Sequence, residues 1–201
     1  MIAPEMSRPP WIYRLIARVS IPFVRGVFRL EVKGLDNVPS GGFVLAANHA
    51  SNLDPWPLGV PLFPNRWLRF MAKAELYWWP FTIVLDGAGA FKVRRGESDV
   101  QAIETAVELV RAQEIVVMFP EGTRTKKGLR KKRVARPRTG AARIAHLAGA
   151  PLVPAAIKGT DGLARLSTWK VAYGEPFEPG EDAKAATERL MRDIERLHAT
   201  L

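Results

Sequence analysis

The chain has 201 residues, no cysteine and a formal net charge of +10 at pH 7. This length fits one domain with a sizeable core and a short appendage. The lack of cysteine excludes disulfides, thiolate metal sites and a cysteine nucleophile, and the excess of positive charge indicates an anionic partner.

The first predicted element is a basic amphipathic helix within residues 1–29, an appendage expected to associate with a membrane. From residue 11 onward, apolar residues alternate with four arginines that fall within about a 60° sector at 100° per residue; they are Arg14, Arg18, Arg25 and Arg29. Such a helix suits the headgroup layer of a membrane with anionic lipids, and Pro22 should kink or split it. The alternative is a helix docked on the protein's own core.

We expect the chain to be a peripheral protein on the cytoplasmic face of the cell membrane. No uninterrupted apolar stretch approaches the roughly 20 residues that a spanning helix needs, and the longest candidate, residues 76–85, stops at Asp86. A secretory signal is not indicated, because Pro9, Pro10 and the recurrent arginines interrupt the apolar region that it requires.

Residues 30–201 are predicted to form one α/β domain. Seven apolar runs are typical of buried strands: 28–32, 43–47, 68–72, 88–93, 115–119, 152–157 and 169–173. Helical patterns occur at 56–62, 98–112, 139–148 and 182–198. The alternation of strands and helices predicts a mixed, largely parallel sheet flanked by helices.

A histidine and an aspartate five positions apart form the first candidate functional motif. His49 would follow the strand 43–47, and Asp54 would lie about one turn further on, because Ser51 and Asn52 are common first residues of helices. Imidazole, with an unperturbed pKa of about 6.5, is the usual side-chain base near neutral pH. A carboxylate beside it can fix its tautomer and stabilise the imidazolium. A lone histidine is more often structural, so the pair needs support from elsewhere in the chain.

The other two histidines are assigned no chemical role. His146 falls in a predicted helix and is expected to pack against neighbouring residues, whereas His198 is near a terminus and is expected to be solvated. Because the histidines are scattered and cysteine is absent, we expect no metal site.

The second motif, Phe-Pro-Glu-Gly-Thr-Arg, follows another predicted strand. Pro120 should end that strand, and Gly122 permits a tight turn and a close approach of the backbone. Glu121, Thr123 and Arg124 would then offer a carboxylate, a hydroxyl and a guanidinium at one place. Arginine suits phosphate because its planar donors can bind two oxygens at once.

Together the two motifs resemble the first and third signature blocks of the glycerolphosphate acyltransferase family. That family has Asn-His, four further residues and Asp, followed downstream by Phe-Pro-Glu-Gly-Thr-Arg. Residues 89–96 resemble its second block and residues 153–159 its fourth, so that four blocks occur in the expected order across residues 48–159. The resemblance implies an enzyme that transfers a fatty acyl group.

The resemblance implies a general base and its partner. His49 would take the proton of the acceptor's hydroxyl, and Asp54 would orient the imidazole. The hydroxyl oxygen would then attack the thioester carbonyl directly, without an acyl-enzyme intermediate.

The resemblance also implies a set of substrate-binding residues. Arg95 in the second block and Arg124 in the third would hold the acceptor's phosphate. Glu121 and Gly122 would help to position its glycerol portion, and Thr123 is grouped with them. In the fourth block, Val153 and Pro154 would shape the site or the path of the thioester.

Two positions depart from the pattern of the family. Arg94 precedes Arg95, so either could hold the phosphate, and Arg95 is favoured because Gly96 follows it as in relatives. Arg138 stands where many relatives have a lysine two residues before a glycine. It keeps the positive charge, so we expect it to be a further substrate-binding residue for the phosphate, with a different geometry of contact. A solvated positive surface is the alternative for Arg94 and Arg138.

A basic segment runs from Arg124 to Arg138 and contains no acidic residue. Its basic residues are Arg124, Lys126, Lys127, Arg130, Lys131, Lys132, Arg133, Arg136 and Arg138. Such a run is typical of a nucleic-acid or anionic-membrane patch, but it lacks the aromatic residues that would favour base stacking. Its position after Arg124 favours lipid headgroups or an acidic donor such as acyl carrier protein, and a mobile solvated loop is the alternative.

Aromatic residues between positions 67 and 81 have two interpretations besides core packing. They could line a groove for an acyl chain, or anchor the protein at a membrane interface, where Trp and Tyr are enriched. They are Trp67, Phe70, Tyr77, Trp78, Trp79 and Phe81.

The expected activity is transfer of a fatty acyl group from acyl-coenzyme A or acyl carrier protein to the hydroxyl of lysophosphatidic acid, which gives phosphatidic acid in phospholipid synthesis. No cofactor is expected beyond the thioester co-substrate. Another lysolipid acceptor, such as a lyso-ornithine lipid, is the alternative within this class. A non-catalytic protein that binds anionic lipid or nucleic acid is the alternative from a different class, although we expect no nucleic-acid partner.

Overall fold

The computed structural model describes residues 9–79, 81–93, 99–122 and 137–201. Within them the helices are α1 (Trp11–Val27), α2 (Pro55–Gly59), α3 (Phe81–Gly87), α4 (Asp99–Arg111), α5 (Gly140–Ala148) and α6 (Ala183–Ala199). The strands are β1 (Glu31–Lys33), β2 (Phe43–Ala47), β3 (Leu68–Lys73), β4 (Ala90–Val93), β5 (Ile115–Met118), β6 (Leu152–Lys158) and β7 (Lys170–Tyr173). Short 3₁₀ segments lie at Leu35–Asn37, Val60–Leu62, Ala74–Leu76 and Thr160–Arg165.

These strands form one sheet in the order β1-β7-β6-β2-β5-β3-β4. Strands β2 to β6 all run in the same direction, β7 is antiparallel to β6, and β1 is parallel to β7. The predicted mixed, largely parallel sheet flanked by helices is therefore confirmed. The largest difference at a strand boundary is in β1, which begins at Glu31 rather than Phe28 because α1 continues to Val27.

Helices cover both faces of the sheet, which explains why its central strands are apolar throughout. All five residues of β2 are fully buried. Val44 and Ala46 pack with α4, α5 and α6, whereas the alternate residues, such as Leu45, pack on the other face with α2. Because successive side chains of a strand point to opposite faces, a strand buried on both sides loses the polar alternation of an exposed one.

The helices of the domain follow the predicted pattern with local differences. The carboxylate of Asp182 caps α6 by accepting the N–H groups of Lys184 and Ala185 at 2.9 and 3.0 Å. Helix α2 is shorter than expected and continues as the 3₁₀ segment to Leu62. Ser98, the expected start of α4, lies outside the described residues.

Two features of the helices were not anticipated. Helix α3 was not predicted, because its short apolar sequence shows no helical periodicity. His146 is exposed, so the expectation that it packs is wrong. The buried face of α5 is centred on Ala141, Ile144 and Ala145, and His146 lies beyond the edge of that face.

Helix α1 packs on the domain by one face and exposes an apolar stripe on the other. Val24 is buried, and Phe28, just after the helix, stacks on Trp169 with ring centroids 4.1 Å apart. The helix continues through Pro22 and is not split there; Pro22 is exposed, where water can satisfy the carbonyl that its ring leaves unpaired. None of the described helices combines the length and the apolar character needed to cross a membrane.

Candidate active site

The carboxyl ends of three parallel strands bring the sequence motifs together. Strand β2 lies between β5 and β6, with Ala46 paired to Met118 on one side and Ala47 paired to Ala155 on the other. The residues that follow each strand therefore leave the sheet at the same edge, which is where open α/β sheets usually bind ligands.

The imidazole of His49 and the carboxylate of Asp54 are in direct contact. His49 Nδ1 lies 2.7 Å from Asp54 Oδ2, and the side chains are 19% and 0% exposed. The same Oδ2 accepts the backbone N–H groups of Ala50 and Ser51 at 2.8 and 2.9 Å. The loop between the strand and α2 thus folds around the carboxylate, and the side chains of His49 and Asp54 meet, as their spacing indicated.

The hydrogen bonds of Asp54 define the tautomer of His49. A carboxylate only accepts hydrogen bonds, so the network assigns a proton to Nδ1, and in the neutral imidazole the lone pair is then on Nε2. Four donors converge on this buried group, which is the environment that a buried charge requires. The pair therefore has the geometry of a general base with its orienting carboxylate.

The segment after β5 packs against the first motif. The ring of Phe119 stacks on the His49 ring with centroids 4.2 Å apart and planes 18° from parallel. The carboxylate of Glu121 accepts the backbone N–H of His49 at 3.4 Å. The described part of the second motif is thus in contact with the first motif, and Phe119 is a contact residue to which the sequence assigned no role.

A side-chain amide fastens β2 to β6 beyond their last paired residues. Asn48 Nδ2 donates to the carbonyl of Ile157 at 2.9 Å, and its Oδ1 accepts the N–H of Ile157 at 2.8 Å. Asn48 thereby imitates the pairing of a strand residue at the point where the chain turns to His49. No local signal in the sequence indicates this contact.

Arg138 lies over the turn that contains Gly122. The N–H of Gly122 donates to the carbonyl of Phe119 at 3.0 Å, and the N–H of Arg138 donates to the carbonyl of Pro120 at 2.9 Å. Gly122 has a φ of 66°, and a Cβ there would come within 2.8 Å of Arg138 Nε. The position thus suits glycine for both conformation and space, and Arg138 is exposed beside the second motif.

The remaining predicted site residues lie elsewhere or outside the described part of the chain. Val153 and Pro154 are buried within β6, paired with Leu45 and Ala46, and their effect on the site stays a prediction. Arg95, Thr123 and Arg124 lie outside the described residues, as do Arg94 and the basic segment up to Arg136. Within the described ranges, no group of three His, Asp or Glu side chains could hold a metal ion.

An apolar cavity begins beside the site, between α1, α2 and the sheet. Pro55 and Trp56, which directly follow Asp54, form part of its wall. The other lining residues are Tyr13, Ile16, Ala17, Ser20, Gly59, Val60, Phe63, Leu68, Phe70 and Ala88. Helix α2 is held in place by Tyr173, whose buried hydroxyl donates to the carbonyl of Leu58 at 2.7 Å.

The fold and the site define an α/β protein with a histidine–aspartate pair at the carboxyl edge of a largely parallel sheet. The family model described as "Acyltransferase" matches residues 29–158. The chain is 35% identical over 177 residues to the 1-acyl-sn-glycerol-3-phosphate acyltransferase of Bacillus subtilis, an alignment that covers 84% of each protein. The chain therefore belongs to the acyltransferase family, and the expectation of an acyltransferase is confirmed.

Two further relatives agree with this assignment. The chain is 31% identical over 161 residues to the probable 1-acyl-sn-glycerol-3-phosphate acyltransferase of Mycoplasma pneumoniae, which covers 75% of this chain and 56% of that protein. The crystal structure of the 1-acyl-sn-glycerophosphate (LPA) acyltransferase PlsC from Thermotoga maritima superposes with a TM-score of 0.67 at 25% identity. That match covers 93% of this chain and 81% of the other.

Proposed function

We propose that this enzyme transfers a fatty acyl group from an acyl thioester to the hydroxyl of lysophosphatidic acid, which yields phosphatidic acid. The observation that carries the proposal is the 2.7 Å contact between His49 Nδ1 and the buried Asp54 carboxylate at the carboxyl edge of the sheet. The names of the relatives from Bacillus subtilis and Mycoplasma pneumoniae support this choice of acceptor.

In the proposed mechanism, Nε2 of His49 takes the proton of the acceptor's hydroxyl. The hydroxyl oxygen attacks the carbonyl carbon of the thioester, a C–O bond forms, and the C–S bond breaks. The imidazolium returns its proton to the departing thiolate, which leaves as a thiol. Asp54 stabilises the imidazolium while it carries the proton and keeps the ring in the orientation that the attack requires.

Three arginines are proposed to bind the acceptor's phosphate. Arg138 is supported by its position over Gly122, and its planar guanidinium can bind two phosphate oxygens. Arg95 and Arg124 are proposed partners for the same phosphate. Glu121 and Gly122, together with Thr123, are proposed to position the glycerol portion.

The donor is proposed to be acyl-coenzyme A or acyl carrier protein, with no other cofactor. Both donors are anionic, and the basic segment from Arg124 to Arg138 carries many positive charges directly after the second motif in the sequence. The apolar cavity beside Pro55 and Trp56 offers space for the acyl chain.

We further propose that α1, together with α3 and the residues before it, docks on the cytoplasmic face of the membrane. Helix α1 exposes Trp11, Leu15, Val19 and Phe23, by 54 to 69%, and the nearby Arg14, Arg18 and Arg25 are exposed as well. Trp78, Trp79, Ile83 and Val84 are exposed by 53 to 80%. The two helices touch where Gly87 meets Ile12, so these apolar groups lie on neighbouring elements. Apolar side chains flanked by arginines suit an anionic lipid surface.

The acceptor is tested by competition. Purified enzyme is given equal amounts of lysophosphatidic acid, lysophosphatidylcholine and a lyso-ornithine lipid in mixed vesicles, once with acyl-coenzyme A and once with acyl carrier protein as donor. Mass spectrometry follows the three acylated products. Phosphatidic acid should dominate with at least one donor, whereas preferential acylation of another acceptor would replace the proposed substrate.

A further inference from the structure

We propose that Thr160 is a positioning residue of the active site, which acts by holding Asp54. The inference rests on the proposed role of His49 and Asp54 in acyl transfer. Thr160 lies beyond the four sequence motifs, since the fourth ends at residue 159.

The two carboxylate oxygens of Asp54 have different partners. Oδ2 contacts the imidazole of His49 and two backbone N–H groups, whereas Oδ1 accepts the hydroxyl of Thr160 at 2.6 Å. Thr160 is 1% exposed and Asp54 is 0% exposed, so water does not compete for this hydrogen bond. With a donor on each oxygen, the carboxylate cannot rotate about its Cβ–Cγ bond without breaking a contact.

Thr160 is placed beside Asp54 by a tight turn at Gly159, a position that strongly favours glycine. Gly159 follows β6 and has a φ of 93°, and a Cβ there would lie 2.2 Å from the carbonyl oxygen of Thr168. The turn starts the 3₁₀ segment and directs the Thr160 side chain back towards the start of α2. Because Asn48 binds Ile157 two residues before Gly159, the strand that carries Thr160 is also tied to the loop that carries His49.

Loss of the Thr160 hydroxyl would leave Oδ1 of a buried carboxylate without this donor. The carboxylate would then rotate or shift until Oδ1 accepts a hydrogen bond from a different donor. Oδ2 would lose its alignment with His49 Nδ1 as a result. A hydrogen bond to a charged group contributes about 1.5 to 3 kcal/mol. If the activation barrier rises by that amount, the rate falls by roughly ten- to a hundred-fold. Since Thr160 contacts Asp54 rather than substrate, the effect should fall on kcat and not on the KM for lysophosphatidic acid.

The test compares Thr160→Val, which removes the hydroxyl at constant shape, with Thr160→Ser, which keeps it. Thr187→Val is a matched control, because Thr187 is also buried and its hydroxyl donates to the carbonyl of Ala183 in α6 at 2.6 Å. We expect Thr160→Val to lower kcat by about ten- to a hundred-fold, and Thr160→Ser to recover most of it. Thr187→Val should keep the wild-type kcat. Equal kcat values for wild type and Thr160→Val, or no recovery in Thr160→Ser, would overturn the proposal.

A spectroscopic readout tests the contact without turnover. The chain has three histidines, and His146 and His198 are exposed, so their ring protons exchange quickly with water. A protected ring N–H signal in proton–nitrogen NMR is assigned to His49 by its loss in His49→Gln. Thr160→Val should shift or broaden it, while Thr187→Val should not. An unchanged signal in Thr160→Val would refute the positioning role, whereas absence of product from the wild-type enzyme would count against the proposed function alone.

Discussion

At the scale of single residues, the main feature is a buried carboxylate that is held by several hydrogen bonds and that contacts the imidazole of His49. Asp54 takes donors from its own loop and from Thr160, 106 residues away, and presents one oxygen to His49. The ring of Phe119 stacks on the imidazole of His49 and so restrains the orientation of the imidazole plane. The imidazole of His49 is therefore held in one orientation without substrate, and a positioned group of this kind would lower the barrier if His49 is the base that we propose.

Asp54→Asn tests whether the charge of the carboxylate matters beyond its shape. An amide cannot stabilise the imidazolium as a carboxylate does, and it can favour the wrong tautomer of His49. We expect kcat to fall by about a thousand- to ten-thousand-fold with little change in KM. Steady-state kinetics on the folded variant provide the measurement, and a kcat within tenfold of wild type would show that Asp54 has only a structural role.

At the scale of elements, the turn after β6 links a strand to the site. Gly159→Ala should be strongly destabilising, because its Cβ would meet the carbonyl oxygen of Thr168 at a positive φ. Gly149 ends α5 at a φ of 64°, and a Cβ there would meet nothing within 4 Å, so Gly149→Ala is a control for the cost of the conformation alone. We expect about 1 kcal/mol for the control and at least about 2 kcal/mol more for Gly159→Ala.

Urea denaturation followed by circular dichroism measures both costs on the same scale. Equal losses of unfolding free energy in the two variants would show that the backbone relaxes around Gly159. In that case the close approach to Thr168 would not constrain the position of Thr160.

The sequence predicted the elements better than it predicted their contacts. Strands such as β2 and β5 were recognisable because burial on both faces makes them continuously apolar, and His49 and Asp54 were recognisable because they lie in one loop. The bonds from Asn48 to Ile157 and from Thr160 to Asp54 join residues more than 100 positions apart. Such pairs become neighbours only through the order of strands in the sheet. The hydrophobic pattern of a single segment cannot predict that order.

At the scale of the whole molecule, α1 gives the protein one apolar, basic side. Val19→Asp should weaken binding to vesicles that contain an anionic lipid by roughly five- to tenfold. Burial of the Val19 side chain in the lipid layer should contribute about 1 kcal/mol or more to the free energy of binding, and the variant would lose this contribution. Val100→Asp is a matched control, since Val19 and Val100 are both 69% exposed and Val100 lies on α4, at the opposite face of the sheet. Vesicle co-sedimentation provides the measurement, and equal losses in the two variants would contradict a membrane-facing α1.

The tyrosines predict how the stability of the whole fold depends on pH. Burial, helped by the nearby Asp86, raises the pKa of Tyr77 to about 12, and burial also raises the pKa values of Tyr13 and Tyr173. Above the ordinary value of about 10, the unfolded chain loses these protons while the native state keeps them, so unfolding releases protons.

The free energy of unfolding should therefore fall as the pH rises from about 10 towards 12. Tyrosinate absorbance at 295 nm and urea denaturation, measured over the same pH range, check this expectation. The absorbance should rise together with unfolding. Tyrosines that ionise near pH 10 in a protein that is still folded would contradict it.

The proposed role of His49 as the base for acylation of lysophosphatidic acid is tested by a pair of histidine variants. Wild type, His49→Ala and the exposed-site control His146→Ala are incubated with an acyl thioester and lysophosphatidic acid, and phosphatidic acid is followed by mass spectrometry. We predict equal initial rates for wild type and His146→Ala, and a rate lower by about a hundred- to ten-thousand-fold for His49→Ala. Equal rates for wild type and His49→Ala would show that His49 is not the base.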